Sequence, residues 1–296
     1  MVALITGSSG FLGSEIKKNF PSDQIITLNK SNSTINIDLS KYIPKIDTVD
    51  IVIHSAGKAH LVPKTEKQIQ DFYDINITGT KNLLKGLAQV SILPQSFIFI
   101  SSVSVYGLET GKLITEDYPL LATDPYGKSK VEAEKLVRNW CEKNKVIWTI
   151  LRLPLIAGPN PPGNLKAMIN AIKKDYYFNI ANGKARKSIV LAEDVAKIIP
   201  IAAKIGGVYN LTDGYHPSFS ELSELIAQQL GKSKPLNIPK WLAKTMAKAG
   251  DIIGSKAAIN SDKLIKITSD LTFDDTKARQ LLEWKPTTVL SGFKII

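Results

Sequence analysis

Met1-Val-Ala-Leu-Ile-Thr-Gly-Ser-Ser-Gly-Phe-Leu-Gly13 is the stretch whose reading decides the fold. Val2 to Ile5 is a short apolar run of the buried-strand kind, followed by glycines at 7, 10 and 13 and a helix-like segment ending at Pro21. The order is strand, tight turn, helix start. Gly7 lets the backbone turn sharply, Gly10 lets it approach a ligand, and Gly13 lets the helix pack on the strand. The helix N-terminus then offers free amides and a positive dipole end to a pyrophosphate. The spacing is Gly-x-x-Gly-x-x-Gly rather than Gly-x-Gly-x-x-Gly, so the position of the glycines after a strand carries the reading. A strand beginning at residue 2 also leaves no room for a signal peptide, and a soluble, cytoplasmic protein is expected.

Further along, strand-like and helix-like segments alternate. Strand-like runs lie at Gln24–Leu28, Asp50–Gly57, Phe97–Ser102 and Val146–Leu153, with helical segments at about 66–90 and 126–145. This rhythm predicts a doubly wound parallel sheet with helices on both faces. After Pro154 it is lost: Gly158-Pro-Asn-Pro-Pro-Gly-Asn164 is an irregular loop, and amphipathic helices are expected over Ser220–Leu230 and Pro239–Gly250. Val208–Leu211 reads as a last strand of the first sheet. The division expected is a cofactor domain over 1–153 that reclaims about 186–212, and a smaller, mostly C-terminal α/β substrate domain from 154–185 and 213–296.

The chain has 296 residues, 44% hydrophobic and 22% charged, which allows a substantial core. No apolar run is long enough to cross a bilayer, so no membrane partner is expected. A net charge of +11 suits anionic partners, but the lysines are scattered and no basic-aromatic pattern for nucleic acid is visible. Cys141 is the single cysteine, which excludes an internal disulfide, and no metal site is expected.

Two groups carry chemistry. Tyr126 and Lys130 stand four apart at a helix start and share one face, and no other tyrosine has a lysine four residues later. An ammonium beside a phenol favours the phenolate, so the pair suits proton exchange with a hydroxyl or carbonyl oxygen. At the end of the second strand, where such folds read the adenosine ribose, stand Asn29 and Lys30. An acidic residue there would repel a 2′-phosphate; these two leave NAD and NADP both open. Asp38, with Leu39, is a candidate contact for the adenine. His54 reads as a satisfied histidine inside the sheet.

The glycine turn, Tyr126, Lys130 and Ser102 at a strand's carboxyl end together resemble the extended short-chain dehydrogenase/reductases, within them the nucleotide-sugar epimerases, dehydratases and reductases. Val-Ile-His-Ser-Ala-Gly57, Asn76-Ile-Thr-Gly-Thr80, Ser101-Ser-Val-Ser-Val-Tyr-Gly107, Pro125-Tyr-Gly-Lys-Ser-Lys130, Leu-Arg-Leu-Pro154, Glu-Asp-Val-Ala196 and Asp275-Thr-Lys-Ala278 extend the likeness over nearly the whole chain.

The resemblance implies a Rossmann-type fold and an NAD- or NADP-dependent enzyme. Tyr126 would be the acid/base, Lys130 would hold the nicotinamide ribose and lower the tyrosine's pKa, and Ser102 would bond the reacting oxygen. It implies cofactor contacts at Gly7, Ser9, Gly10, Phe11, Leu12, Gly13, Asn29, Lys30, Asp38, Leu39, Ser55, Ala56, Gly57, Asn76, Tyr126, Lys130 and Leu153. Substrate contacts are implied at Lys58, Ser102, Ser104, Asn164, Arg186 and Lys187, the last two toward the diphosphate of a nucleoside-diphosphate sugar, UDP-linked in the first instance. A homodimer through the helices after Thr65 and Tyr126 is also implied.

Val103 and Ser104 stand where the family's dehydratases carry Asp-Glu, which argues against 4,6-dehydration. Pro154 and Leu155 replace the Phe-Asn of well-known galactose epimerases and point to the branch acting on N-acetylated or deoxy sugars for surface polysaccharides. A 4-epimerase and a 4-keto reductase share these residues, and both stay open. So does a non-catalytic sensor or scaffold of the same fold, although it would have no need to retain Ser102, Tyr126 and Lys130 together.

Overall fold

A computed structural model describes residues 1–59, 62–253 and 259–295. The central sheet consists of β1 (Ala3–Thr6), β2 (Ile25–Asn29), β3 (Ile35–Asn36), β4 (Ile51–His54), β5 (Ser96–Ser102), β6 (Ile147–Leu153) and β7 (Gly207–Asn210). The spatial order is β7-β6-β5-β4-β1-β2-β3, with every pairing parallel. Strands buried on both faces read as continuous apolar runs, which is why all of these but the short edge strand β3 were visible in the sequence. Alternate residues feed two cores. Ile5, Ile53, Ile98 and Leu151 meet α1 (Phe11–Lys18) and, further along the chain, Ala192–Ile205. Leu4, Val52, Phe97 and Ile150 face the opposite layer.

In that layer, α2 (Glu66–Tyr73) leads through one wide π turn, Asp74–Thr78, into α3 (Gly79–Leu87). The turn divides what the sequence presents as one helix and brings Asn76 inward. Next, α4 (Pro125–Asn144) begins with Pro125 in its first turn, and the Asp124 side chain accepts a hydrogen bond from the Gly127 amide at 3.0 Å. Cys141 on this helix is a buried free thiol whose pKa burial pushes up to about 12, so it is packed rather than reactive.

Beyond Pro154, Leu155–Ala157 pairs with Ile189–Leu191. Around this pair α5 (Gly163–Lys173), α6 (Ala192–Ile205) and α7 (Phe219–Gln229) are laid down, α5 and α7 sharing a further core with Phe293. Two helices follow, α8 (Lys240–Ile253) and α9 (Ser261–Thr268). The chain then returns, and Leu271–Phe273 pairs with Gly111–Ile114, tying the C-terminal part to the loop after β5. No helix among the described residues is long and apolar enough to cross a membrane.

Candidate active site

Strand order reverses between β1 and β4, which opens a crevice at their carboxyl ends. The glycine turn lies there. Gly7 has φ +69°, and a Cβ on it would stand 2.6 Å from the Ala56 amide nitrogen, so this turn and the Ser55-Ala56-Gly57 end of β4 touch through bare backbone. A Cβ on Gly13 would meet the Gly7 carbonyl oxygen at 2.1 Å. Gly13 therefore lets α1 pack directly on the backbone that follows β1. Ser9 and Gly10 are exposed at the tip, Phe11 is half-buried, and the Leu12 side chain belongs to the core.

At the end of β2, Asn29 is buried and its Nδ2 donates to Ser8 Oγ at 2.8 Å. Its Oδ1 has no partner, the one such buried side-chain atom among the described residues. Lys30 is engaged: its ammonium lies 3.1 Å from Asp38, whose carboxylate also takes the Ser40 amide and hydroxyl. These contacts hold the Asp38 carboxyl below its usual range even though burial acts the other way. Leu39 is buried, and its carbonyl accepts from Asn82. A bare-backbone turn at a helix start beside an orphaned buried acceptor fits the pyrophosphate and ribose of a dinucleotide.

Beneath the crevice runs a buried relay. The Ala56 amide donates to Thr6 Oγ1, whose hydroxyl lies 2.7 Å from His54 Nδ1. His54 Nε2 lies 2.9 Å from Thr80 Oγ1, which itself donates to the Asn76 carbonyl. Since Thr80 spends its proton on Asn76, the network assigns the imidazole proton to Nε2. Burial, helped by the Lys130 charge, pushes the His54 pKa down to about 3. His54 is a neutral structural histidine.

Asn76 accepts from the Lys58 amide at 2.7 Å and donates to Ser129 Oγ at 2.8 Å, joining the end of β4 to α4. The Lys58 ammonium pairs with Asp71 at 2.5 Å and lies over Phe72, whose ring centroid is 5.9 Å from that of Tyr126.

The two serines at the end of β5 have different tasks. Ser101 donates to Glu134 at 2.5 Å, and Glu134 grips Arg152 of β6 with both oxygens. Arg152 also donates to Tyr106, which donates to Asn210. Ser102 instead donates to Ser104 Oγ at 3.1 Å, and its hydroxyl lies close enough to the Tyr126 phenol to act on its pKa. Burial raises the Tyr126 phenol above its usual pKa, the nearby Ser102 hydroxyl offsets part of this, and the Asp124 charge adds to it. Lys130 donates to the Ile100 carbonyl at 2.7 Å and lies 4.5 Å over the Phe99 ring. Burial lowers its pKa to about 8. Thus Lys130 does not depress the phenol in this arrangement, contrary to the expectation; desolvation outweighs a charge directed at the strand.

Leu153 is buried at the end of β6, and Asn164 is exposed in the first turn of α5. Arg186 is committed within the protein: Nη1 donates to the His216 carbonyl at 2.9 Å, Glu221 is 3.4 Å away and Tyr215 stacks beneath. Lys187 is half-buried, which lowers its pKa, and among the described residues it has no carboxylate within ion-pair distance. Of these two cations, Lys187 is the available one. Sequence reasoning missed the Ser101–Glu134–Arg152 network. The signal was an arginine inside the apolar strand Leu151-Arg152-Leu153, which demands a buried partner.

Residues 3–211 match the sequence profile described as the NAD dependent epimerase/dehydratase family. The chain is 29% identical to a UDP-glucose 4-epimerase of Vibrio cholerae, covering 98% of this chain and 93% of that one. It is 27% identical to the N-acetyl-alpha-D-glucosaminyl-diphospho-ditrans,octacis-undecaprenol 4-epimerase of Escherichia coli O157:H7, with 98% and 92% covered. The fold is shared with a UDP-glucuronic acid 4-epimerase of Bacillus cereus solved with UDP-glucuronic acid and NAD (TM-score 0.73, 22% identity, 98% and 96% covered). A profile spanning most of the chain, over a sheet whose glycine turn and Ser102–Tyr126 pair occupy the expected crevice, settles the family: the protein belongs to the NAD-dependent epimerase/dehydratase family of extended short-chain dehydrogenase/reductases, enzymes that work with NAD or NADP.

Proposed function

We propose that the protein is a nucleoside-diphosphate-sugar 4-epimerase, acting with NAD on a UDP-linked hexose or N-acetylhexosamine in cytoplasmic surface-polysaccharide synthesis. The reading is carried by the nearness of the Tyr126 phenol, at the start of α4, to Ser102 at the end of β5, in a chain alike to 4-epimerases over 98% of its length.

Bound at the crevice, NAD supplies the hydride acceptor and donor for C4 of the sugar. Tyr126 takes the proton from O4 as that carbon becomes a ketone and returns it afterwards, so little charge separates. Ser102, beside the same phenol, donates to O4 and fixes its position. Lys130 follows Tyr126 by one helical turn, and its ammonium holds the nicotinamide ribose beside the phenol. The half-buried Lys187 meets the substrate diphosphate, with Asn164 at the sugar-nucleotide loop.

NAD is favoured over NADP by two features. The orphaned Asn29 Oδ1 is an acceptor suited to a ribose hydroxyl, and Lys30, the cation that would welcome a 2′-phosphate, is neutralised by Asp38. A homodimer through α2, α3 and α4 completes the proposal.

The test is to purify the protein without added cofactor, denature it, quantify any released nicotinamide nucleotide, and offer the native protein UDP-hexoses and UDP-N-acetylhexosamines. Near-stoichiometric NAD and a C4 epimer formed without added cofactor are expected. An empty protein that consumes NADPH with a 4-keto sugar nucleotide would make it the reductase.

A further inference from the structure

The C-terminal part carries an outward face that the reaction does not use. Helix α8 packs inward through Ala243 and Ala247, which meet Leu264 of α9 and the partly buried Ile180 and Ile238. Round its circumference, Lys240, Lys244 and Lys248 recur every four residues and form one stripe. None of the three makes an ion pair among the described residues. Trp241 and Ile252 lie beside that stripe and Leu242 and Met246 further round the exposed face, with Trp241 70%, Met246 44% and Ile252 90% exposed. Leu236, just before the helix, is 72% exposed. The helix's one acidic residue, Asp251, is held by the Ser261 amide and hydroxyl.

Surface helices of soluble proteins turn charge outward. A helix that presents tryptophan, leucine and methionine to solvent beside a row of lysines has instead the make-up of an interfacial helix. The apolar side chains enter the acyl boundary and the ammonium groups meet lipid phosphates. We propose that α8 docks the protein on an anionic bilayer surface, lying in the interface without crossing it. This departs from the expectation, drawn from hydropathy alone, of no membrane partner. Charge complementarity decides the occupant: a chain with net charge +11 and a lysine-edged apolar stripe is matched by anionic lipid, whereas a second copy would bring the same lysines against each other. The inference stands apart from the sugar chemistry.

Co-sedimentation of the full chain with phosphatidylcholine/phosphatidylglycerol vesicles, against phosphatidylcholine alone, tests it, with tryptophan emission as second readout. Binding to the anionic vesicles that weakens with salt is expected, with a blue shift absent in Trp241→Phe. Changing Lys240, Lys244 and Lys248 to Gln should weaken partitioning by about 100-fold. Wild-type protein that stays in the supernatant would overturn the proposal, as would binding indifferent to both sets of changes. So would concentration-dependent self-association that Trp241→Ser/Met246→Ser abolishes without any vesicle binding, since the face would then be an interface between copies.

Discussion

Lys130 donates to the carbonyl of Ile100 at 2.7 Å, two residues before Ser102 on the same strand. The bond ties α4 to β5 and so fixes the helix that carries Tyr126 against the strand that carries Ser102. Because burial has lowered the Lys130 pKa to about 8, the ammonium is present below that pH and is lost above it. If the cation supports the acid/base step, kcat/KM falls as pH rises through about 8. A pH–rate profile of the wild type and of Lys130→Met checks this; in the variant that limb should be missing.

Tyr126→Phe removes the hydroxyl and leaves the ring against Phe72. A loss of roughly 10²- to 10⁴-fold in kcat is expected, with NAD content unchanged, because general acid/base groups supply rate rather than cofactor affinity. Turnover and cofactor content measured on the same preparation decide it. Ser102→Ala should lower kcat less than Tyr126→Phe.

Asn29→Asp places a carboxylate where the orphaned amide oxygen now stands, next to a Ser8 hydroxyl able to turn and donate. Affinity for NADPH should fall at least about tenfold, with little change for NAD. Fluorescence titration with both reduced cofactors gives the ratio.

His54 supplies an acid-sensitive term in stability. Its pKa falls from 6.5 to about 3 on folding, so the unfolded chain binds the proton more readily between those values. Stability therefore decreases as pH drops from about 6.5 toward about 3, by on the order of 5 kcal/mol over the whole range. Urea unfolding of wild type and His54→Gln at successive pH values should show a shallower acid dependence in the variant.

Arg152→Ala leaves Glu134 buried without its bidentate partner, the two side chains being 4% exposed. A destabilisation of about 3–5 kcal/mol is expected, and the double change Arg152→Met/Glu134→Leu should recover most of it. Denaturant midpoints of the two variants report this.

The sheet was legible because parallel strands buried on both faces leave runs such as Ile51-Val-Ile53 and Phe97-Ile-Phe-Ile100. The two neighbouring serines differ in what they meet: Ser101 is consumed by Glu134, whereas Ser102 is not. Other features depend on contacts distant in sequence. The two-residue strand Ile35–Asn36 exists only as an edge on β2, and the π turn that seats Asn76 has no periodic signature. Among the cations proposed for ligand contact, Lys30, Lys58 and Arg186 are each answered by a carboxylate, which spacing could not reveal. Nor could spacing tell that Lys130 points to a strand carbonyl.

The most direct measurement is the fate of deuterium placed at C4 of a UDP-N-acetylhexosamine or UDP-hexose incubated with the protein and no added cofactor. Retention of the label at C4 of the epimer, at the enrichment of the starting sugar, is the predicted result. No epimer, or an epimer that has lost the label from C4, would contradict a 4-epimerase that keeps its cofactor through the cycle.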